Sequence, residues 1–400
     1  MKVRTIHRAL MGALATAAVT ATALTAPASA AGRGTDPHAA TRSAMEAQVR
    51  AGVPGVLGRS VGEDGIWQGS AGVADRTTHR PRAAEDRFRV GSITKAFTSV
   101  VLLQQEAEGR IRLDDTVDRW LPGVVRGHGH DGRDITVRQL LNHTSGIFNY
   151  TEDAALRKDL TSGFYQHRFD VHTPRQLVDV AMAHAPDFRP GAGWHYSNTN
   201  YVLAGMIVEK VSGHSYASEV TRRVLDPLHL RATTLPGTSP WMPNPHGRAY
   251  GKLDSAPDAK IHDVTDFNPS WAYSAGEIIS TTGDLNRFYH ALIGGKLLPE
   301  RQQRELLTTV PTGGESPDMA YGLGVFTTTL SCGVKVWGHE GGIPGSTSVV
   351  ASTPDGRHTA AFNLNADWTG DPMALVQAEY CGVVPGTTPS RLSAPLATMR

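Results

Sequence analysis

The sequence predicts an α+β fold, with an antiparallel sheet built from both ends of the chain, flanked by helices, and a helical subdomain beside it. Runs typical of strands lie at 55–73 and again at 321–366. Between them, from about 113 to 263, apolar residues follow helical spacing, and Pro and Gly mark the loops. Strands at both ends around a helical middle favour one sheet with a helical insertion.

The first 30 residues have the composition of a secretory leader. Three basic residues precede an apolar run from Ala9 to about Leu24, and Ala28-Ser29-Ala30 is a small-residue cleavage site. A membrane anchor is the alternative, but the run is too short and too rich in Ala and Thr to span a bilayer well. We expect a secreted, extracellular protein without a stable membrane anchor.

Net charge does not support binding to nucleic acid or to a membrane surface. Removal of the leader takes away three positive charges and no negative ones, so the formal balance changes from +1 to −2. Binding to a phosphate backbone requires an excess of basic residues, which this chain lacks. We expect no nucleic-acid partner.

The first elements of the mature chain are a helix at 36–51 and two strands, Gly55–Val61 and Gly65–Val73. The segment Ile93–Glu108 then has apolar residues on nearly all sides. A helix of this kind belongs in the interior. Ser92 is therefore expected at the start of a buried central helix.

The rest of the chain adds further helices and most of the strands. Helical spacing predicts helices at Thr136–Asn142, Asn200–Val211, about Gly283–Ile293 and 372–380. Strand patterns occur at Tyr321–Leu330, Val334–Gly338, Ser346–Ser352 and His358–Ala366. We expect a catalytic domain at 31–385, with an α/β part at about 31–95 and 265–385 and a mostly helical part at about 96–264, followed by a tail at 386–400.

Three short motifs carry side chains suited to acyl transfer: Ser92-Ile93-Thr94-Lys95, Tyr196-Ser197-Asn198 and His339-Glu340-Gly341. Each alone has an ordinary structural explanation. A serine before an apolar helix often caps it, and a lone tyrosine or histidine is more often a packed residue. Their occurrence together, in this order and behind a leader, favours a catalytic site.

Ser92 and Lys95 have the spacing of a nucleophile and its base. A serine hydroxyl attacks a carbonyl carbon only when a nearby group takes its proton, and positions three apart on a helix share a face. Lysine is a base only when neutral, so burial must lower its pKa from about 10.4. The free N–H groups at the helix start, including that of Ser92, suit a developing oxyanion.

The other two motifs add groups for proton transfer and binding. The Tyr196 hydroxyl can donate or accept a proton, and Asn198 is close enough in sequence to reach the same cleft. His339 is expected to follow the strand Val334–Gly338 and to open a turn at Gly341-Gly342. Glycine there would let a substrate backbone lie along the sheet edge.

With these motifs the chain resembles the serine β-lactamase and DD-peptidase superfamily, and within it the secreted actinomycete D-alanyl-D-alanine carboxypeptidases and their class C β-lactamase relatives. The strongest stretches are Asp86–Lys95, Thr136–Gly146, Tyr196–Asn200 and Trp271–Gly276. The resemblance implies a β-lactamase/transpeptidase-like fold and no metal or organic cofactor. It also implies these roles: nucleophile Ser92, base Lys95, proton relay Tyr196, Asn198 holding Lys95 and the substrate amide, His339 beside them, an oxyanion hole from the N–H groups of Ser92 and Gly342, and Trp271 lining the pocket.

Two departures from the superfamily pattern bear on the substrate. The carboxypeptidases hold the substrate's terminal carboxylate with an Arg where this chain has Phe326. The middle position of the third motif, usually Thr or Ser, is Glu340, and it borders the expected substrate site together with Gly341. A carboxylate there would repel a substrate carboxylate by a few kcal/mol. It would suit an amine instead, unless the side chain points to solvent.

The sequence therefore predicts a serine hydrolase, first of all a D-alanyl-D-alanine carboxypeptidase that acts on cell-wall-like peptides and reacts with β-lactams. The alternatives are a D-stereospecific aminopeptidase or amidase, an esterase, a class C-like β-lactamase, and a non-catalytic penicillin-binding sensor. We expect peptide or amide substrates, β-lactams as acylating ligands, and a monomer.

Cys332 and Cys381 suit an oxidising compartment, and we expect a disulfide that tethers the last helix to a sheet strand. Two free buried thiols are the alternative.

The stretch His128-Gly129-His130-Asp131 hints at a zinc cluster, but Gly132 stands where such a motif requires Asp. We expect no metal site.

Overall fold

The computed structural model describes residues 36–383, apart from 255, 257, 316 and 317. The expected leader at 1–30 and the expected tail at 386–400 lie outside these residues. The strands are β1 Gly55–Gly62, β2 Gly65–Gly72, β3 Phe88–Arg89, β4 Arg126–Gly127, β5 His130–Asp131, β6 Tyr250–Lys252, β7 Ile261–Asp263, β8 Ile279–Ser280, β9 Val310–Pro311, β10 Met319–Tyr321, β11 Phe326–Thr329, β12 Lys335–Ile343, β13 Ser346–Ser352 and β14 Thr359–Leu364.

Eight of these strands form one sheet in the order β2-β1-β14-β13-β12-β11-β10-β9. Strand β1 from the first part of the chain runs antiparallel to β14 from the last part, with Leu57 opposite Asn363. Strands β2 and β9 lie at opposite edges, so the segment between them leaves the sheet at one edge and returns at the other. The predicted antiparallel sheet from both chain ends is confirmed.

The helices cover both faces of this sheet. They are α1 Ala39–Arg50, α2 Thr94–Ala107, α3 Val117–Trp120, α4 Val137–Leu141, α5 Ala154–Leu160, α6 Phe164–His167, α7 Pro174–Met182, α8 Asn198–Ser212, α9 Tyr216–Val220, α10 Tyr273–Gly276, α11 Thr282–Ile293, α12 Glu300–Leu307 and α13 Pro372–Cys381. Val349 packs in the cluster that includes Met45 of α1 and Leu375 of α13, whereas its neighbour Val350 belongs to the cluster that includes Phe288 of α11. Successive residues of a strand point to opposite faces, so the two clusters lie on the two sides of the sheet.

The central helix α2 is buried as its composition predicts. Phe97, Val100 and Leu103 are fully buried, and the helix packs against α8, α10 and α12. It follows a 3₁₀ turn at Gly91–Ile93, so Ser92 lies at the junction between strand β3 and the core helix. The predicted helices at 36–51, 136–142, 200–211, 283–293 and 372–380 are confirmed, with ends that shift by a few residues.

The predicted strand Val334–Gly338 is too short, and the predicted turn at Gly341-Gly342 is wrong. Strand β12 continues to Ile343, so all three residues of the third motif lie within the strand. The chain turns two residues later, at Gly345, where φ is +75°. The two glycines serve close packing rather than a turn, because a Cβ on Gly341 would lie 1.8 Å from the carbonyl oxygen of Val90.

The predicted single strand Tyr321–Leu330 is also wrong. It comprises the end of β10 and all of β11, which pair antiparallel with Tyr321 opposite Phe326. The reversal between them includes Gly324 at φ +82°, a backbone conformation that glycine adopts without a steric cost. The predicted strand at His358–Ala366 is confirmed in its central part, Thr359–Leu364.

Cys332 and Cys381 form a disulfide, so the free-thiol alternative is wrong. Cys332 lies in the turn that joins β11 to β12, and Cys381 is the last residue of α13. The bond therefore tethers the last helix to a turn next to the strands rather than to a strand itself.

Among the described residues, no helix is long and apolar enough to cross a membrane. The expected boundary between α/β and helical parts stays a prediction.

Candidate active site

The turn that carries Ser92 is pressed against strand β12. Gly91 has φ +55°, and a Cβ at this position would lie 2.8 Å from the amide nitrogen of Gly342. A Cβ on Gly341 would likewise lie 3.3 Å from the amide nitrogen of Ser92. Gly91 and Gly341 therefore allow two backbones to meet, and the meeting point includes the two amides predicted to form the oxyanion hole.

Lys95 lies directly beneath Ser92 and is fully buried. Its Nζ is 2.8 Å from Ser92 Oγ, 2.8 Å from Asn198 Oδ1 and 2.8 Å from the carbonyl oxygen of Ala275. The ring of Tyr196 covers the amine at 4.8 Å. The expected pairing of Ser92 with Lys95 on one helix face is present in the structure.

Burial lowers the pKa of Lys95 well below its ordinary value. The three oxygens that contact Nζ are all neutral, so they offset little of the cost of burying a charged ammonium. A neutral amine donates two hydrogen bonds and keeps one lone pair. Asn198 and Ala275 provide two acceptors, which leaves the lone pair for the hydroxyl of Ser92.

Tyr196 is the second motif residue that reaches Ser92. Burial raises the pKa of Tyr196 well above its ordinary value, the neighbouring Ser92 hydroxyl lowers it, and the charge of Glu340 raises it further. Within the described residues its buried hydroxyl makes no well-aligned hydrogen bond, although the Ser92 hydroxyl is near enough to lower its pKa. A neutral phenol without a fixed partner beside the nucleophile is free to exchange a proton with substrate.

Asn198 is held in place by the loop that precedes α5. Its backbone N–H donates to Asn149 Oδ1, and its side-chain amide nitrogen donates to the hydroxyl of Thr151 at 3.1 Å. These contacts fix the amide orientation, so the Oδ1 atom faces Lys95. The first residue of α8 is therefore positioned by residues almost 50 places earlier in the chain.

His339 of the third motif is buried and neutral. Its Nε2 accepts a hydrogen bond from the Tyr321 hydroxyl at 2.7 Å, and its Nδ1 donates to the carbonyl oxygen of Glu340. Burial lowers the pKa of His339 to about 3, and a proton on the nearby Lys95 would lower it as well. The ring lies 6.4 Å from that of Tyr196 and 6.1 Å from that of Phe326.

Glu340 does not point to bulk solvent, because only 6% of it is exposed. It alternates with His339 along β12, and its charge acts on the Tyr196 hydroxyl. Phe326 is 2% exposed and packs with Tyr196 and Tyr321. Glu340 lies in the third motif, and Phe326 lies on the neighbouring strand β11, opposite Gly338. The contact of either residue with substrate stays a prediction.

Trp271 is buried four residues before Ala275, whose carbonyl oxygen contacts Lys95. It is 5% exposed, its ring stacks on Phe267 at 6.3 Å, and its carbonyl oxygen accepts a hydrogen bond from the Tyr150 hydroxyl. It ends a 3₁₀ turn at Pro269–Trp271, directly before the segment that supplies the Ala275 carbonyl to Lys95. Its predicted place beside the pocket stays a prediction.

The motifs alone do not reveal several groups around the site, above all Tyr321 and His143. His143 Nδ1 accepts hydrogen bonds from the Ser197 N–H and the Asn200 side chain, and its ring lies 4.3 Å from that of Tyr196. Burial lowers the pKa of His143 well below its ordinary value. His143 falls within the stretch Thr136–Gly146 that supports the resemblance, so a signal for it existed, whereas none marked Tyr321.

Among the described residues, no group of three or more His, Cys, Asp and Glu side chains is placed to hold a metal ion.

The model of the Beta-lactamase family matches residues 38–376. The chain belongs to this family. The beta-lactamase family includes serine hydrolases, and this chain is a serine hydrolase with a β-lactamase/transpeptidase-like fold.

Three similar proteins place the chain within this family. A D-stereospecific amidohydrolase from Streptomyces sp. is 55% identical, with a TM-score of 0.83 over 86% of this chain and 99% of that chain. D-amino acid amidase from Ochrobactrum anthropi SV3 is 26% identical, with a TM-score of 0.72 over 82% of this chain and 91% of that chain. Penicillin-binding protein 4* of Bacillus subtilis is 28% identical over 80% of this chain and 70% of its own length. The chain spans about half, 54%, of the next curated relatives that it matches.

Proposed function

We propose that this beta-lactamase family member is a D-stereospecific amidohydrolase, which cleaves amides of D-amino acids through an acyl-enzyme on Ser92. The observation that carries the proposal is Glu340, a buried carboxylate of the third motif whose charge raises the pKa of Tyr196, at a position where the carboxypeptidases have Thr or Ser. The similarity to the Streptomyces amidohydrolase and to D-amino acid amidase supports the same reaction. A D-alanyl-D-alanine carboxypeptidase, the first expectation from the sequence, has less support.

The charge of Glu340 discriminates between the two kinds of substrate. A carboxypeptidase substrate carries a free carboxylate next to the scissile bond, and a second carboxylate nearby repels it. An aminopeptidase or amidase substrate carries an ammonium group on the D-residue, which a carboxylate attracts. Phe326 offers no charge to hold a terminal carboxylate, so both departures act in the same direction.

In the proposed acylation, Ser92 Oγ attacks the amide carbon while its proton passes to Lys95 Nζ. Asn198 and Ala275 hold the amine so that its lone pair faces the hydroxyl. The negative charge that forms on the carbonyl oxygen takes hydrogen bonds from the N–H groups of Ser92 and Gly342. A fixed pair of backbone donors stabilises this charge without reorganisation during the reaction.

The leaving group then takes a proton. Tyr196 passes the proton from Lys95 to the amine nitrogen, the C–N bond breaks, and the acyl group stays on Ser92. In deacylation a water molecule attacks the ester carbon and gives its proton to Tyr196 or Lys95. The bond between the acyl carbon and Ser92 Oγ then breaks, and Oγ takes the proton. This step frees the D-amino acid and restores the Ser92 hydroxyl. The second step restores every group, so no cofactor enters the cycle.

A substrate panel tests the proposal. We expect D-phenylalanine amide to be hydrolysed much faster than L-phenylalanine amide, and faster than an acylated peptide that ends in D-Ala-D-Ala. A simple ester and a chromogenic cephalosporin complete the panel. Preferential release of terminal D-Ala would overturn the proposal in favour of the carboxypeptidase.

The nucleophile is tested by Ser92→Ala, which we expect to abolish turnover of every substrate and labelling by a fluorescent penicillin. Ser99→Ala is the matched control, because it removes another buried hydroxyl from the same helix. In the described part of the chain, the Ser99 hydroxyl has the Tyr201 hydroxyl as its side-chain hydrogen-bond partner, at 3.2 Å. Activity that survives Ser92→Ala would exclude Ser92 as the nucleophile.

We also propose that β-lactams acylate Ser92, which the similarity to penicillin-binding protein 4* supports. A stable acyl-enzyme without turnover of any amide would favour a sensor, and rapid cephalosporin turnover would favour a β-lactamase. The secreted location and the monomeric state are proposals of the same kind. Mass spectrometry of the secreted protein and sedimentation analysis test them.

A further inference from the structure

A small cavity lined by arginine side chains lies next to the strand that leads to Ser92. Its walls include Arg82, Arg87, Arg89 and Arg248, together with Asn363 and Asn365. Its volume is about 20 Å³, enough for one ligand the size of a water molecule. Sulfate or phosphate would not fit in this space.

Two of the four arginines are buried and have N–H groups without a partner. Arg89 is 3% exposed and Arg82 is 5% exposed. Within the described residues, Arg89 Nε, Arg89 Nη1 and Arg82 Nε make no hydrogen bond. Buried polar groups are nearly always hydrogen-bonded in native proteins, so three orphan donors on two neighbouring guanidinium groups need an explanation.

The remaining atoms of both side chains are well anchored. Arg89 Nη2 donates to the carbonyl oxygens of Pro240 and Phe267, each at 2.9 Å, and its guanidinium lies over the Phe267 ring. Arg82 Nη2 donates to Asn363 Oδ1 at 2.8 Å. The orphan donors therefore belong to side chains with fixed positions, and the cavity is part of the native fold.

Within the described residues, the acids near the cavity leave the three orphan N–H groups without a hydrogen bond. Asp86 lies 3.7 Å from Arg82 Nε, too far for a hydrogen bond, and also pairs with Arg80. Burial lowers the pKa of Arg89 to about 9, although the charges of Asp266 and Glu277 act to raise it. Burial also raises the pKa of Glu277 to about 7, so this carboxyl is only partly charged at neutral pH.

The other two arginines add positive charge. Arg87 donates to the carbonyl oxygens of Ala232 and Asn244, while Arg248 pairs with Asp75 and Asp263 away from the orphan donors. Among the described atoms that line the cavity, Asn365 Oδ1 is the one buried acceptor without a partner. The cavity therefore has three unpaired N–H donors, all on positively charged guanidinium groups, and one unpaired acceptor. Because an anion accepts hydrogen bonds from several donors and balances their charge, this lining favours an anion over a water molecule.

We propose that the cavity binds one chloride ion between Arg82 and Arg89, and that the ion stabilises the backbone leading to the nucleophile. Arg89 is the last residue of β3, and its carbonyl oxygen accepts a hydrogen bond from the Ser346 hydroxyl at 2.8 Å. The next residue, Val90, donates to Ile278. A bound ion would thus anchor the segment that ends at Ser92.

Thermal unfolding in sodium chloride and in sodium gluconate, at equal ionic strength and pH 7, tests the proposal. We expect a saturable rise in Tm of about 2 °C that chloride and bromide produce and gluconate does not. Equal Tm values in the two salts would overturn it. The measurement does not depend on the amidohydrolase assignment, because it needs no substrate.

Two further measurements locate the ion. Arg89→Gln should remove the chloride effect, whereas Arg301→Gln, which changes an exposed arginine on α12, should retain it. Crystals of the unaltered protein grown with bromide should show an anomalous peak within hydrogen-bond distance of Arg89 Nε, and this holds even if Arg89→Gln fails to fold. A water molecule there without an anomalous signal would exclude the site.

Discussion

Lys95 Nζ lies 2.8 Å from Asn198 Oδ1, although 103 positions separate the two residues in the chain. This contact joins helix α2, which follows the Ser92 turn, to the first residue of α8. It holds a buried amine in an environment of neutral oxygens, where burial lowers its pKa. The proposed chemistry depends on this amine being uncharged.

Lys95→Met should remove activity and stabilise the fold. Methionine has a similar length and no charge to desolvate, and loss of a general base costs about 10²–10⁴-fold in rate. The unfolded chain binds a proton on Lys95 up to its ordinary pKa, whereas the folded chain releases it at lower pH. Wild-type stability therefore rises with pH between these two pKa values. The gain in Tm from Lys95→Met should thus be largest at low pH and shrink toward pH 10.5.

Glu340→Thr should shift the substrate preference toward terminal carboxylates. Removal of one negative charge beside the site lowers the repulsion of a peptide ending in D-Ala-D-Ala, and we expect kcat/KM to rise about tenfold for that peptide. The value for D-phenylalanine amide should fall. Glu46→Thr, a change on the exposed surface of α1, serves as control. Unchanged ratios would mean that Glu340 does not face the substrate.

Tyr321→Phe should weaken catalysis without a change in overall fold. It leaves His339 Nε2 buried without its hydrogen-bond donor, a defect that costs about 1–3 kcal/mol. We expect kcat/KM to fall about tenfold, while Tyr165→Phe on the surface has no effect. The pH profile of the wild type should show no limb from His339 near 6.5, because its pKa is about 3. A histidine limb that disappears in His339→Gln would contradict this prediction.

Glu379 should make the fold sensitive to acid. Burial raises the pKa of Glu379, but hydrogen bonds from His358, Ser60, Thr41 and His38 outweigh burial and lower it to about 2. Because the folded pKa is below the unfolded value of about 4.5, this stabilisation is complete above pH 4.5 and is lost as pH falls toward 2. We expect about 3 kcal/mol of stability to disappear over this range.

Glu379→Gln provides the comparison in urea unfolding at several pH values. The variant should be less stable than the wild type at pH 7, and the two should converge near pH 2. The residues involved come from α1, β1, the turn before β14 and α13. Parallel pH curves for the two proteins would exclude this carboxylate as the acid-sensitive group.

The sequence alone determined the reactive side chains and the periodic elements. Ser92, Lys95, Tyr196, Asn198 and His339 meet as expected, because acyl transfer needs these chemical groups and they stand in short motifs. The helix α2 was predictable because burial on all sides leaves an apolar pattern. The sheet from both chain ends followed from where the alternating runs lie.

Tertiary structure decided what depends on contacts distant in sequence. The role of Gly341 was misread, because a glycine that admits a close backbone and one that admits a turn look alike in sequence. The Ala275 carbonyl reaches Lys95 across 180 positions, and Tyr321 reaches His339 through the pairing of β10, β11 and β12. The burial of Glu340 is likewise set by what packs over β12. Side-chain identity is written in the chain, but desolvation and partner choice arise only when the packed elements exclude water.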